Sequence, residues 1–193
     1  MGFNPYKKAF QNLPAKQKYF LAIIPPEPVF SEAEALKKEV SLKYNNKSAL
    51  RSPAHITLHM PFEWEEKKEP ALIDTLSNYK FNQDINIRLK NFGFFEPKVV
   101  FIDVEKNETL SALQKEMVNH VKQHLSIFNE ADNLRAYHPH ITIAFRDLKK
   151  SDFYKMKEEF GVRTFEGEFI SKEFCLLKHN GKTWDVMEKF LLA

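Results

Sequence analysis

Tyr137-His138-Pro139-His140-Ile141-Thr142-Ile143-Ala144-Phe145 is the stretch whose reading decides the fold. Its centre, His140-x-Thr142, has a twin upstream in Pro53-Ala54-His55-Ile56-Thr57-Leu58. Each copy sets a histidine and a threonine two positions apart within an aliphatic run. A strand alternates its side chains between two faces, so His and Thr share one face while Ile and Leu take the other. The aliphatic face can enter a core while the polar face lines a cavity. Two such strands facing each other would bring two imidazoles and two hydroxyls onto one ligand. With 7 histidines in 193 residues, chance gives roughly half a bare His-x-Ser/Thr match, and roughly 0.02 when an aliphatic residue must follow both members.

Working outward, Tyr19 to Ile24 reads as a buried strand stopped by Pro25-Pro26. Ser31, with Glu34 three residues on, predicts a capped helix to about Lys43. The first His strand covers about 54–60 and should end at Pro61. A helix with Pro70 in its first turn follows, carrying Ile73, Leu76 and Tyr79. Residues 84–104 read as a hairpin that turns at Glu96-Pro97. Asn107 is placed to cap a helix over 108–126. A polar connection, Asn129 to Ala136, leads to the second His strand, and a short helix over 151–160 stops at Gly161. Two strands, 164–170 and 172–178, an Asn180-Gly181 turn and a final strand from Trp184 complete the chain. Residues 1–18 read as an extension, and 19–193 as one domain. The order repeats loosely, and 85 positions separate His55 from His140, which suggests an internal duplication with one His strand from each half. Antiparallel sheets with helices outside make the fold class α+β.

Composition narrows the function classes. The 18 Phe supply a large core, and the net charge of +3 admits an anionic substrate without suggesting a duplex-binding surface. The one cysteine, Cys175, sits in an apolar strand, reads as inert, and fits a reducing compartment. Neither a secretory signal nor a membrane span is expected, so a cytoplasmic location is the simplest expectation. With 5 Gly, there is little material for a phosphate-binding loop.

The chain resembles the 2H phosphoesterase superfamily, which includes RNA 2′,3′-cyclic phosphodiesterases historically called 2′-5′ RNA ligases. His55-Ile56-Thr57-Leu58 and His140-Ile141-Thr142-Ile143 both match its His-x-Thr/Ser-x tetrad in full. The apolar strand at 19–24 and the run Cys175-Leu176-Leu177-Lys178 followed by Gly181 extend the resemblance over most of the chain. It implies a bilobed, pseudo-twofold α+β fold with two antiparallel sheets lining a central groove. It also implies a substrate among RNA termini or small nucleotides bearing a cyclic phosphate, and a 2′-phosphate product. Many relatives carry Arg five residues after the second His; here Phe145 holds that place and Arg146 follows.

A cyclic phosphodiester opens by in-line attack of water, with a proton removed on one side and delivered on the other. His55 and His140 can supply both functions at neutral pH, one neutral and one protonated. Thr57 and Thr142 can donate hydrogen bonds to the non-bridging oxygens. Such a site needs no metal, cofactor or covalent intermediate, and implies no protein partner. Which histidine is the base stays open. Tyr19, Arg51, His59, His138 and Arg146 are further candidates for substrate contact: His59 and Arg146 by strand alternation, His138 by its place two before His140, Arg51 as an outer phosphate contact, and Tyr19 by stacking on a base. Phe20, Phe62 and Phe145 share the stacking option. His120 and His124 are at helical spacing without a third ligand, and His179 adjoins a turn. Two other classes stay open: a binding module that grips phosphorylated ends without turnover, and a metal protein using His55, His59, His138 and His140.

Overall fold

The computed structural model describes residues 15–128 and 136–192, so most of the expected extension and of the 129–136 connection lies outside the described residues. Strand β1 (Lys16–Ile23) starts three residues ahead of its apolar run and leads to helix α1 (Val29–Tyr44), a 3-10 turn (Ser48–Arg51) and β2 (Ile56–Glu65). A second 3-10 turn (Glu66–Lys68) opens α2 (Glu69–Ser77). The expected hairpin is β3 (Ile85–Phe95) with β4 (Val99–Val104). Then come α3 (Glu108–Leu125), β5 (His140–Ala144), α4 (Lys150–Gly161), β6 (Glu166–Ser171), β7 (Glu173–His179) and β8 (Trp184–Leu191). None of the described helices is long and apolar enough to cross a membrane.

The strands lie in the order β6-β3-β4-β5-β2-β1-β7-β8, with antiparallel pairs throughout. β2 and β5 meet at one residue pair, Ile56 with Ile141. The two expected sheets are therefore the four-stranded halves of one sheet, joined at a narrow seam formed by the two His strands. The halves interleave segments distant in sequence. β3 leaves β2 to pair with β4 and β6, and the C-terminal hairpin β7–β8 returns to β1. The helices cross over too: α1, which links β1 to β2, packs on β5, and α3, which links β4 to β5, packs on β2.

The sheet has two unlike faces. Tyr19, Leu21 and Ile23 of β1 join Ile56, Leu58, Ile141 and Ile143 in the main core, beneath Leu36 and Val40 of α1 and Leu113 and Met117 of α3. Each fully buried aliphatic side chain there contributes on the order of 1.5–3 kcal/mol. Phe20 and Ala22 point the other way and form a smaller cluster with Cys175 and Leu177, against which Ile24 and Trp184 pack. This second face carries the polar half of both motifs.

Two local expectations differ from what forms. α1 begins before Ser31, whose backbone N–H and hydroxyl donate to the Glu27 carboxylate instead of closing the helix end. Glu34, expected to complete a capping box, accepts instead from the Ala54 N–H and from Lys37. β2 also runs on through Pro61 to Glu65. Pro61 falls in a bulge between the pairs Leu21–His59 and Tyr19–Phe62, where the extra residue of β2 needs no ladder donor. Asn107 caps α3 as expected, its side chain accepting from the Leu110 N–H at 2.8 Å.

Candidate active site

Antiparallel pairing of Ile56 with Ile141 fixes what lies across the seam. In that register His55 falls opposite Thr142, and Thr57 falls opposite His140. The two motifs thus form a twofold-related quartet on the face away from the main core. Flanking strands continue the register: Ala22 pairs with Thr57, and Phe101 and Asp103 of β4 pair with Thr142 and His140. The Tyr137 hydroxyl donates to the Thr57 carbonyl at 3.0 Å and ties the segment before β5 to β2.

Both histidines are held by the same local device. His55 Nδ1 lies 2.7 Å from the Pro53 carbonyl, and His140 Nδ1 lies 2.7 Å from the His138 carbonyl. A carbonyl only accepts, so Nδ1 must carry the proton in each ring. In the neutral imidazole that leaves the Nε2 lone pair as the reactive position. Burial depresses both rings' affinity for a second proton. His55 is lowered to about 4, chiefly by desolvation, with the Lys37 and His140 charges adding to the shift and the Pro53 hydrogen bond opposing it. His140 is lowered as well, mainly by desolvation and then by the His138 charge, while the His138 carbonyl and Asp103 pull it back up.

Aromatic rings brace the imidazoles. Phe20 lies 4.9 Å from His55 and Trp184 lies 4.8 Å beyond Phe20, edge-on. Phe101 and Phe95 lie 4.7 and 5.2 Å from His140. Phe101 has room because β3 presents Gly93 opposite it; a Cβ there would sit 2.2 Å from the ring. His138 is exposed, and its Nε2 meets Asp103 Oδ1 at 2.9 Å.

The remaining candidates separate. Tyr19 is fully buried on the core face, its hydroxyl donating to Glu69 at 3.3 Å, with burial pushing its pKa up to about 12; it is removed from the site. His59 is also buried, edge-on to Phe62 and with Nδ1 2.8 Å from the Met60 carbonyl. Alternation predicted the polar face for His59, but β2 carries an extra residue between the pairs Ala22–Thr57 and Leu21–His59, and this bulge turns it into the core. Arg51 and Arg146 are exposed at one end of the seam, where β2 begins and β5 ends. Arg146 has a left-handed backbone (φ 57°) and lays its guanidinium 5.2 Å over the Phe145 ring. His120 and His124 stack on each other, and His120 Nε2 is hydrogen-bonded with the Thr75 carbonyl on α2. Cys175 is buried, which pushes its thiol up to about 11. Among the described residues no three His, Cys, Asp or Glu side chains assemble a metal site.

Asp103, Phe101 and Lys37 are not among the candidates drawn from the sequence, where Glu34 reads only as part of a helix cap. Asp103 had a signal, as the one carboxylate inside the apolar strand Val99–Val104. The other three act through long-range contacts that no local pattern encodes.

With this geometry in place, the comparisons with known proteins are decisive at the family level. Residues 25–183 match the family model described as the 2′-5′ RNA ligase superfamily. The chain belongs to the 2′-5′ RNA ligase superfamily. Both tetrads fall inside the matched span, so the resemblance to 2H phosphoesterases holds. A superfamily relative from Geobacillus sp. strain WCH70, named "Putative phosphoesterase", is 29% identical over 91% of this chain and 96% of its own length. One of the same name from Oceanobacillus iheyensis is 27% identical over 91% and 98%. Among solved structures, Escherichia coli LigT complexed with 3′-AMP superposes with a TM-score of 0.65 at 19% identity, covering 93% of this chain and 99% of that one. TT0787 of Thermus thermophilus gives 0.64 at 22% identity, covering 91% and 97%. At those identities the structures establish a shared fold.

Proposed function

We propose that the chain is a metal-independent phosphodiesterase that hydrolyses 2′,3′-cyclic phosphates, or related cyclic or 2′-5′ nucleotide linkages, at RNA ends or on small nucleotides. The observation that carries this reading is the repeated arrangement of His55 and His140. Each ring is locked through Nδ1 to the carbonyl two residues before it, and each lies across the seam from the other motif's threonine. A ligand-binding site has no need of two imidazoles held in one tautomer; a proton relay does. The relatives' name, "Putative phosphoesterase", and the complexes of LigT with 3′-AMP and ATP support the coarser part of this reading, a phosphoesterase that takes nucleotides.

In the proposed reaction, water attacks phosphorus in line with the leaving oxygen. One neutral imidazole takes the water proton on Nε2, the P–O3′ bond breaks, and the other imidazolium gives its Nε2 proton to O3′. The product implied is a 2′-phosphate. Thr57 and Thr142 donate to the non-bridging oxygens, where charge is densest. Each acid or base is worth about 10²–10⁴ in rate.

The test is turnover of a panel of cyclic phosphates and 2′-5′-linked oligonucleotides, resolving 2′- from 3′-phosphate products. His55→Ala and His140→Ala should each abolish most turnover in folded protein. Tight binding of a cyclic phosphate by a wild type that never turns it over would instead establish a binding module.

A further inference from the structure

α1 carries a charged pair that the chemistry above does not use. Lys37 is 1% exposed, and its Nζ donates to Glu34 Oε1 at 2.5 Å and to the Ser52 carbonyl at 2.6 Å. The same Glu34 oxygen accepts the Ala54 N–H at 2.6 Å. Between these two anchors lies Pro53, whose carbonyl receives His55 Nδ1. Two consecutive peptide units, 52–53 and 53–54, are thus fixed from one helical turn, and the second carries the carbonyl that orients one imidazole.

Burying the Lys37 ammonium is costly even beside Glu34, whose side chain stays 32% exposed, and an apolar residue of similar size at position 37 would often be as stable or more so. Core packing alone therefore gives no reason for these charges. We propose that the Glu34–Lys37 pair is the positioning device of His55, holding the 52–54 backbone so that the ring presents Nε2 to the seam. The charged and titratable groups near His55 are Lys37 and Glu34 from α1 and His140 from β5; β1 contributes the uncharged Phe20 ring. Lys37 is the group whose charge repels a proton on His55, next in effect after burial and the opposing Pro53 hydrogen bond. His140, across the seam, has the Asp103–His138 pair beside it instead, so the twofold quartet sits in an asymmetric field.

The catalytic consequence rests on the phosphodiesterase reading, but the effect on the ring does not. The test is therefore a nitrogen-15 NMR titration of the histidine rings, with His55 assigned by His55→Ala, run alongside turnover. Two variants are used: Lys37→Met, and Glu34→Gln with Lys37→Met. In the double variant the new amide oxygen at position 34 can still accept from Ala54, and no charge is left buried, so the fold is kept. Wild-type His55 should titrate well below a free imidazole as the Nδ1–H tautomer. In Lys37→Met its midpoint should rise by about half a unit or more, because a nearby positive charge is gone; in the double variant, where the Glu34 carboxylate is gone too, it should still rise, by less. The acid limb of the kcat/KM profile should be displaced, with kcat down about 10-fold or more from lost alignment. An unmoved His55 midpoint and tautomer in the folded double variant would overturn the proposal, even if turnover fell. A shifted midpoint in a protein that turns over no phosphodiester would uphold the positioning role while sinking the enzymatic reading.

Discussion

At the scale of single residues, the twin Nδ1–carbonyl bonds are the feature from which most consequences follow. They occupy one nitrogen of each ring and leave the other as the position for proton transfer; His59 Nδ1 is held by the Met60 carbonyl in the same way, but its ring is buried, whereas His55 and His140 lie at the seam. The threonines have a lesser role: Thr57→Ala or Thr142→Ala should remove one hydrogen bond to a charged group, about 1–3 kcal/mol. Turnover should then fall several-fold to about a hundredfold, measurably less than for either His→Ala. His55 also links stability to pH. Its folded pKa is lowered to about 4, whereas the unfolded chain binds the same proton near 6.5. The unfolded state therefore holds more protons between those values, so stability is lost as pH falls from 6.5 towards 4. Urea midpoints at pH 7 and pH 4.5 should differ more in wild type than in His55→Ala, whose carboxylates titrate alike. Equal differences would remove His55 from the account.

Elements show what could be read in advance and what could not. The His-x-Thr alternation, the Asn107 cap and the Asn180-Gly181 turn are local, and each formed where its residues called for it. The fate of His59 was not local. It depends on a bulge created by how β2 pairs with β1, and no count along β2 alone contains that register. Tyr19 and Phe20 posed the same difficulty: adjacent aromatics in a strand buried on both faces give no alternation to say which faces the ligand. Ser31 is no cap because α1 already begins at Val29, and Glu34 meets a partner 20 residues away, at Ala54, and reaches Ser52 by way of Lys37. Gly93 tests this long-range layer. In Gly93→Ala, the new methyl must displace the Phe101 ring, which lies against His140. Stability should fall by about 1–3 kcal/mol from overpacking. kcat should drop more than KM rises, since the displaced ring disturbs the imidazole and not the ligand directly. A variant with wild-type kcat would show that Phe101 does not brace His140.

For the whole molecule, the interleaving of strands and helices explains why a site at a seam can be rigid. β2 and β5 share a single residue pair, yet α1 and α3 each leave one half of the sheet to pack on the other. The quartet is held from outside, by helices that pack across the seam. The central claim is that this quartet moves two protons without a metal. It is tested most directly by the pH dependence of kcat/KM for a 2′,3′-cyclic phosphate, measured throughout in excess EDTA. One ring must be neutral and the other protonated, so the profile should be a bell whose two apparent pKa values belong to the coupled pair. Because both rings are lowered in the free protein, the optimum should lie on the acid side of the ordinary imidazole value near 6.5. The kcat profile should sit at higher pH, since the bound phosphate's negative charge favours both protonated forms. A two-limbed profile undiminished by EDTA is the predicted result; activity that vanishes on chelation and returns with added metal would contradict it.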